Sequence, residues 1–157
     1  MLLSLAVLLV PIFVLLLLYR YLFAGDAPIG VDATQTWNTA RHSAHFTVLA
    51  PEGLPKGWTV ASANFAGGTL RVGYVTPAGT GLQLVESDRP LSALGPAELG
   101  TKARAGNLVS VNDRPWRAYQ QVRGGGQALV LVDAGRTVLV VGSAAPEDLR
   151  TFAAALR

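Results

Sequence analysis

The chain has 157 residues, no cysteine, a formal net charge of +3, and half of its residues are hydrophobic. That length holds one ordinary domain and little more. The missing cysteines exclude disulfides, zinc–thiolate and iron–sulfur ligation and a lipid-modified cysteine anchor, and the thinly spread charge, with no basic block interleaved with aromatics, argues against nucleic acid as a partner.

Met1–Leu18 departs from strongly apolar residues only at Ser4 and Pro11. Eighteen helical residues cover about 27 Å, close to the ~30 Å hydrocarbon core of a bilayer. Nine leucines with Val7, Val10, Val14, Ile12 and Phe13 favour insertion by about 4–8 kcal/mol together. An arginine at the bilayer centre costs only ~2.5–3.5 kcal/mol and less at the edge. The segment 1–23 is therefore predicted to be a transmembrane anchor. Arg20 snorkels at its rim, and Tyr19 and Tyr21 sit in the aromatic belt. Pro11 is tolerated within a span. A cleaved signal peptide is the competing reading, but its apolar core usually runs about 7–15 residues behind a charged flank. Here no lysine or arginine precedes the run, and cleavage after Gly25 and Ala27 would leave Pro28 at the new terminus. Taken literally, the positive-inside rule puts Arg20 and everything after it in the cytoplasm. The apolar run opens at Met1 with no flank, so a start further upstream with a short basic tail is expected.

Residues 24–45 read as a linker and a short helix. Gly25, Pro28 and Gly30 break regular structure. Asp32, with Gln35 three residues on, forms a capping box for a helix over Ala33–Ser43 that turns Trp37, Ala40 and Ala44 to one side. Residues 46–157 read as the folded domain. Phe46, Val48 and Ala50 alternate as a short strand before the turn "PEGLPKG". Period-two alternation then predicts strands over Trp58–Ala66, Thr69–Thr76 and Gly81–Ser87, with Gly67-Gly68 and "PAGTG" as turns. Residues 89–105, leucine- and alanine-rich around Gly95-Pro96, read as a short or broken helix. Val109 and Val111 lead into the Asn112-Asp113 turn. Strands follow over Trp116–Val122, Ala128–Asp133 and Thr137–Gly142. Pro146, Glu147 and Asp148 open a last helix with Leu149, Phe152, Ala153 and Leu156 as one apolar stripe.

The fold class is α+β: a transmembrane helix, then an antiparallel meander of about six strands in the order βββα-βββα, with helices covering one face. Trp58 and Trp116 are expected in the core. His42 and His45 would share a helix face, but no third ligand follows at metal-binding spacing, so no metal or other cofactor is expected. Ser143 after Gly142 lacks the glycine of a nucleophile elbow and reads as a strand end or helix cap. Glu86 and Asp88, at a strand end, are expected to face water. "RGGGQ" has no lysine–serine behind it and is not a phosphate loop. These readings argue against an enzyme. Arg71, Arg117, Tyr119 and Arg123 are the candidate site. On one sheet face, an aromatic among guanidiniums would bind an anionic glycan or lipid head.

The stretches "SLAVLLVPIFVLLLLYRYLF", "VLAPEGLPKGWTVASANF", "LRVGYVTPAGTGLQLVES", "VNDRPWRAYQ" and "VLVVGSAAPEDLRTFAAALR" resemble the actinobacterial domain-of-unknown-function 4245 family over nearly the whole chain. The resemblance implies a single-pass plasma-membrane protein with a cytoplasmic N-terminus and an extracytoplasmic domain, and relatives with a longer basic N-terminus. It implies no activity. The order of "LPKGW", alternating strands and a final "PEDL" helix is also similar to extracytoplasmic domains of membrane-bound anti-sigma regulators. The resulting expectation is a non-catalytic module that sits at the lipid bilayer and binds an envelope glycan, a lipid or a membrane-protein partner. A sensory domain and an envelope hydrolase are the alternatives.

Overall fold

The computed structural model describes residues 11–18, which are helical, and residues 30–157. The expected interface triplet Tyr19, Arg20 and Tyr21 lies outside the described residues. From residue 30 onward the elements run α1 (Thr34–Ser43), β1 (Thr59–Ala66), β2 (Thr69–Val75), β3 (Gly81–Ser87), α2 (Leu91–Glu98), β4 (Arg104–Val111), β5 (Arg114–Gln120), a short 3-10 turn (Arg123–Gly125), β6 (Gln127–Asp133), β7 (Arg136–Gly142) and α3 (Pro146–Ala155).

The strands form one antiparallel sheet of seven in the order β1-β2-β3-β7-β6-β5-β4. β1 to β3 meander from one edge to the middle. The chain then crosses by way of α2 to the far edge and meanders back, so that β7 closes against β3. The expected six-strand βββα-βββα order is thus corrected: the second half holds four strands. The unexpected one is β4. It starts Arg-Ala-Gly-Asn and carries a register irregularity between Ala105 and Leu108, so its apolar alternation is confined to its last residues. Phe46–Ala50 runs outside the sheet instead of forming a regular strand. Its end is tied to the chain terminus, where Ala50 and Arg157 exchange N–H···O bonds of 3.0 and 3.1 Å beside a single Pro51–Leu156 bridge.

The expectation that helices cover one face is also corrected. α1 and α3 pack on one side, over Leu70, Val72, Leu84, Trp116, Leu129, Val138 and Val140. α2 packs on the other, with Leu94 and Leu99 over Val85, Leu139, Val141, Ala128 and Val130. The cause lies in the central strands. In β7 every residue but the last is buried, and a strand that is apolar on both sides must be covered on both.

α3 buries the stripe expected of it. Leu149, Phe152, Ala153 and Leu156 are almost wholly inaccessible. The Phe152 ring lies 4.7 Å, edge-on, from Tyr74 and 5.6 Å from Trp58. α1 is held more locally. Asp32 Oδ1 accepts the Thr34 N–H at 2.9 Å, one residue ahead of the helix's N-cap position, and Ala40 is fully buried. Just before α1, the Val31 N–H donates to the Val60 carbonyl of β1 at 2.8 Å, so the chain joins the sheet at its β1 edge.

Two glycines permit the close approach of β3, β7 and β6 at one sheet end. A Cβ on Gly142 would collide with the Gly81 carbonyl and come within 2.6 Å of Leu82 Cα, and one on Gly126 would collide with the Gly142 carbonyl. The obstacles are backbone atoms that cannot rotate away. Gly142→Ala is therefore expected to destabilise the domain by about 2 kcal/mol, read as a lower urea midpoint with an unchanged slope.

Candidate binding site at one end of the sheet

The register defines a row of residues across one end of the sheet: Arg104 opposite Gln120, Gln120 opposite Gln127, Gln127 opposite Gly142, and Gly142 opposite Leu82. Polar side chains from β4, β5 and β6 thus line up where the strands begin or end. α3 starts three residues after β7, and its first turn lies beside this row. Between them is a groove of about 540 Å³. Val109, Ala118, Leu129 and Leu149 form its apolar floor, while Arg104, Gln120, Gln127 and Arg150 stand around it. A second hollow of about 660 Å³ lies at the same end, on the α2 side, between Leu99–Lys102 and Gln121–Gly125. Its wall is fixed by the Arg123 N–H donating to the Leu99 carbonyl at 2.7 Å, and the turn needs positive φ at Gly124 and Gly125 (79° and 78°), which glycine adopts without strain. Lys102 and Arg123 are its exposed cations. Guanidiniums and an ammonium over an apolar floor, beside amide side chains, are equipped to hold an anionic group with an apolar part.

The residues singled out by sequence divide. Arg117 and Tyr119 do share a face of β5, the α2 face. Arg117 donates to the Gly106 carbonyl at 3.0 Å and is exposed, and Tyr119 is half-buried against the α2 cluster. Arg123 lies beyond the end of β5, in the second hollow. Arg71 is on the same side of the sheet but not with them. Four strand spacings, about 19 Å, separate β2 from β5, and α2 occupies the space between. Arg71 is bound to Glu98 of α2, with Nε and Nη2 at 3.0 and 2.6 Å from one carboxylate oxygen. Alternation located the face; the crossover that interleaves the two halves set the distance.

His42 lies on α1 and its ring donates to the Asn38 carbonyl at 2.7 Å, whereas His45 falls past the helix end. Among the described residues no three histidine or carboxylate groups are placed to share a metal ion. Ser143 follows the last residue of β7, its N–H donating to the Gly81 carbonyl at 3.1 Å, and α3 carries no side-chain cap. Trp116 is fully buried as expected, with its indole N–H unpartnered, and Trp58 is half-buried against the core.

Glu86 was expected in water and is instead wholly buried. It shares the α3 face of β3 with Leu82 and Leu84, which the period-two pattern foretold. Its Oε2 accepts the Leu49 N–H at 3.0 Å and its Oε1 has no partner. Arg136, also buried, donates to the Thr47 carbonyl at 2.6 Å and reaches Asp133 at 3.4 Å. Together Glu86 and Arg136 clasp residues 47–49 to the sheet. Burial raises the Glu86 carboxyl to about 7, against the smaller opposing pull of the Leu49 N–H and Arg136. Burial, and secondarily Glu86, pushes the Tyr74 phenol up as well.

Comparison with curated proteins and with solved structures yields no match. The seven-stranded α+β domain and the segment before it are instead covered together by one family model, described as a protein of unknown function (DUF4245), which matches residues 1–156; the chain belongs to that family.

Proposed function

We propose that the chain is a single-pass membrane protein of the plasma membrane, with a cytoplasmic N-terminus and an extracytoplasmic domain that acts as a non-catalytic binding module of an actinobacterial cell envelope. The observation that carries this reading is the helix at residues 11–18. Every side chain from Ile12 to Leu18 is between 49% and 66% exposed, on all sides of the helix. A helix apolar all round needs lipid or protein about it. Among the described residues no helix is long and apolar enough to cross a membrane; the apolar sequence, however, continues from residue 11 back to Met1, to a length that spans the hydrocarbon. The binding role is supported by the two hollows at the sheet end, whose arginines, lysine and amides are groups that grip a ligand.

Fractionation of cells tests the anchor. The chain is expected to stay with membranes through alkaline carbonate and to leave them only with detergent. A mature form beginning near Pro28 and soluble without detergent overturns it. Protease added to spheroplasts is expected to digest the domain, and a domain protected until lysis overturns the orientation.

A further inference from the structure

The geometry points to a ligand class for the groove between α3 and the ends of β4 and β5: an anionic membrane lipid, its phosphate held by Arg104 and Arg150 and the first part of its acyl chain lying on the apolar floor. This assignment rests on the membrane-anchored reading and specifies what that domain binds.

Three observations converge on it. The first is shape and lining. About 540 Å³ holds a headgroup and a short stretch of chain, and the half-buried Val109 and Ala118 offer that chain an apolar bed over the buried Leu129 and Leu149. The second is charge. Arg104 comes from the strand wall and Arg150 from the helix wall, so each of two walls of the groove carries an arginine. Among the described residues neither is in an ion pair, the two ion pairs there being Arg71–Glu98 and Arg136–Asp133. Guanidiniums match phosphate oxygens bidentately. Glu147 and Asp148, on the same helical turn as Pro146, do not line the groove. Lys102 and Arg123 in the adjoining hollow extend the positive surface.

The third is position. Val31 joins β1 at Val60, and Thr59 pairs with Val75 and Val75 with Gly81 at that same end of the sheet. The row then continues through Leu82, Gly142, Gln127 and Gln120 to Arg104. The end of the sheet that receives the chain from its apolar segment is therefore the end that carries the groove. β1 and β4 lie six strand spacings apart, about 29 Å. The seven residues between Phe23, where the anchor ends, and Val31 reach at most about 25 Å, which keeps that end of the sheet near the bilayer. A domain tethered this way can rest that end on the surface of its own bilayer, with arginines at headgroup level.

The test uses the full chain reconstituted into phosphatidylcholine vesicles that carry a trace of photoreactive lipid, either phosphatidylglycerol or phosphatidylcholine, labelled early in the acyl chain. Crosslinked peptides are then mapped. The phosphatidylglycerol probe is expected to label peptides holding Val109 and Leu149. Arg104→Gln combined with Arg150→Gln is expected to reduce that labelling by at least about tenfold, the loss of one or more charge-assisted contacts. Arg89→Gln, exposed just past β3 at the opposite end of the sheet, is expected to leave it unchanged, and circular dichroism reports whether each variant remains folded. Equal labelling by both probes, or labelling that the double variant retains, overturns the assignment. So does labelling confined to Met1–Phe23, which leaves the anchor intact. Abolition of labelling by millimolar glycerol phosphate identifies a soluble phosphate ligand and overturns the lipid. A chain that does not enter vesicles at all contradicts the anchor itself.

Discussion

Phe152→Ala is expected to cost the domain about 4 kcal/mol, the middle of the range for removing a buried aromatic ring. The ring is wholly inaccessible and touches both Tyr74 of β2 and Trp58 just ahead of β1. Those contacts tie the last element of the chain to the first strands of the sheet, across the full sequence. Deleting the ring loses its transfer free energy and leaves a cavity that the sheet beneath cannot close, since β2, β3 and β7 are pinned by their ladders. Against a typical total stability of about 5–15 kcal/mol, such a loss removes from about a quarter to most of the margin. Phe152→Leu, which keeps most of the volume, is expected to cost about 1.5 kcal/mol. Urea denaturation followed by tryptophan fluorescence measures both, with Trp58 beside the lesion. A loss below about 1 kcal/mol for the alanine variant would show that α3 does not pack on this sheet face.

What the sequence disclosed and what it hid follow from the range of the interactions involved. β2, β3, β6, β7 and α3 were legible because each carries its own apolar period or run, and glycine marks the turns between the strands at Gly79 and Gly135, the latter beside Ala134, which also has positive φ. β4 was not, because an edge strand needs only one buried side chain at its end, Val111, to belong to the sheet. The side taken by α2 was hidden for a different reason. Its apolar residues, Leu94 and Leu99, say that it packs but not on which face, and that choice is made by the crossover to the far edge. The same crossover separated Arg71 from Arg117 and gathered Arg104 with Arg150, residues distant in sequence with no motif in common. The alternation Leu82, Leu84, Glu86 points Glu86 into the core, and only the usual exposure of carboxylates argues the other way.

That buried carboxyl makes stability depend on pH in a direction opposite to the usual acidic residue. Its folded-state value is about 7, above the ordinary 4.5, chiefly because burial penalises the charged form. Below the ordinary value both states hold the proton and the contribution to stability is complete. As pH rises past it, the unfolded chain ionises freely while the folded domain keeps its proton, and unfolding becomes easier. By the time pH exceeds about 7 the whole contribution is gone, about 3 kcal/mol for a shift of this size. The groups that face Glu86 are the Leu49 N–H, which bonds it, and the guanidinium of Arg136, which favours its charge. Tyr74 lies further off on the same sheet face. Glu86→Gln retains an oxygen that accepts the Leu49 N–H and removes the ionisation. Between about pH 5 and about pH 8 the native domain is therefore expected to lose up to about 3 kcal/mol more unfolding free energy than the variant, with the two nearly equal at the acidic end. Urea midpoints across that interval read the difference. Parallel curves for the two proteins would mean that Glu86 ionises at its ordinary value, which its burial beneath residues 47–49 forbids. The clasp formed with Arg136 would then have to open to water at neutral pH.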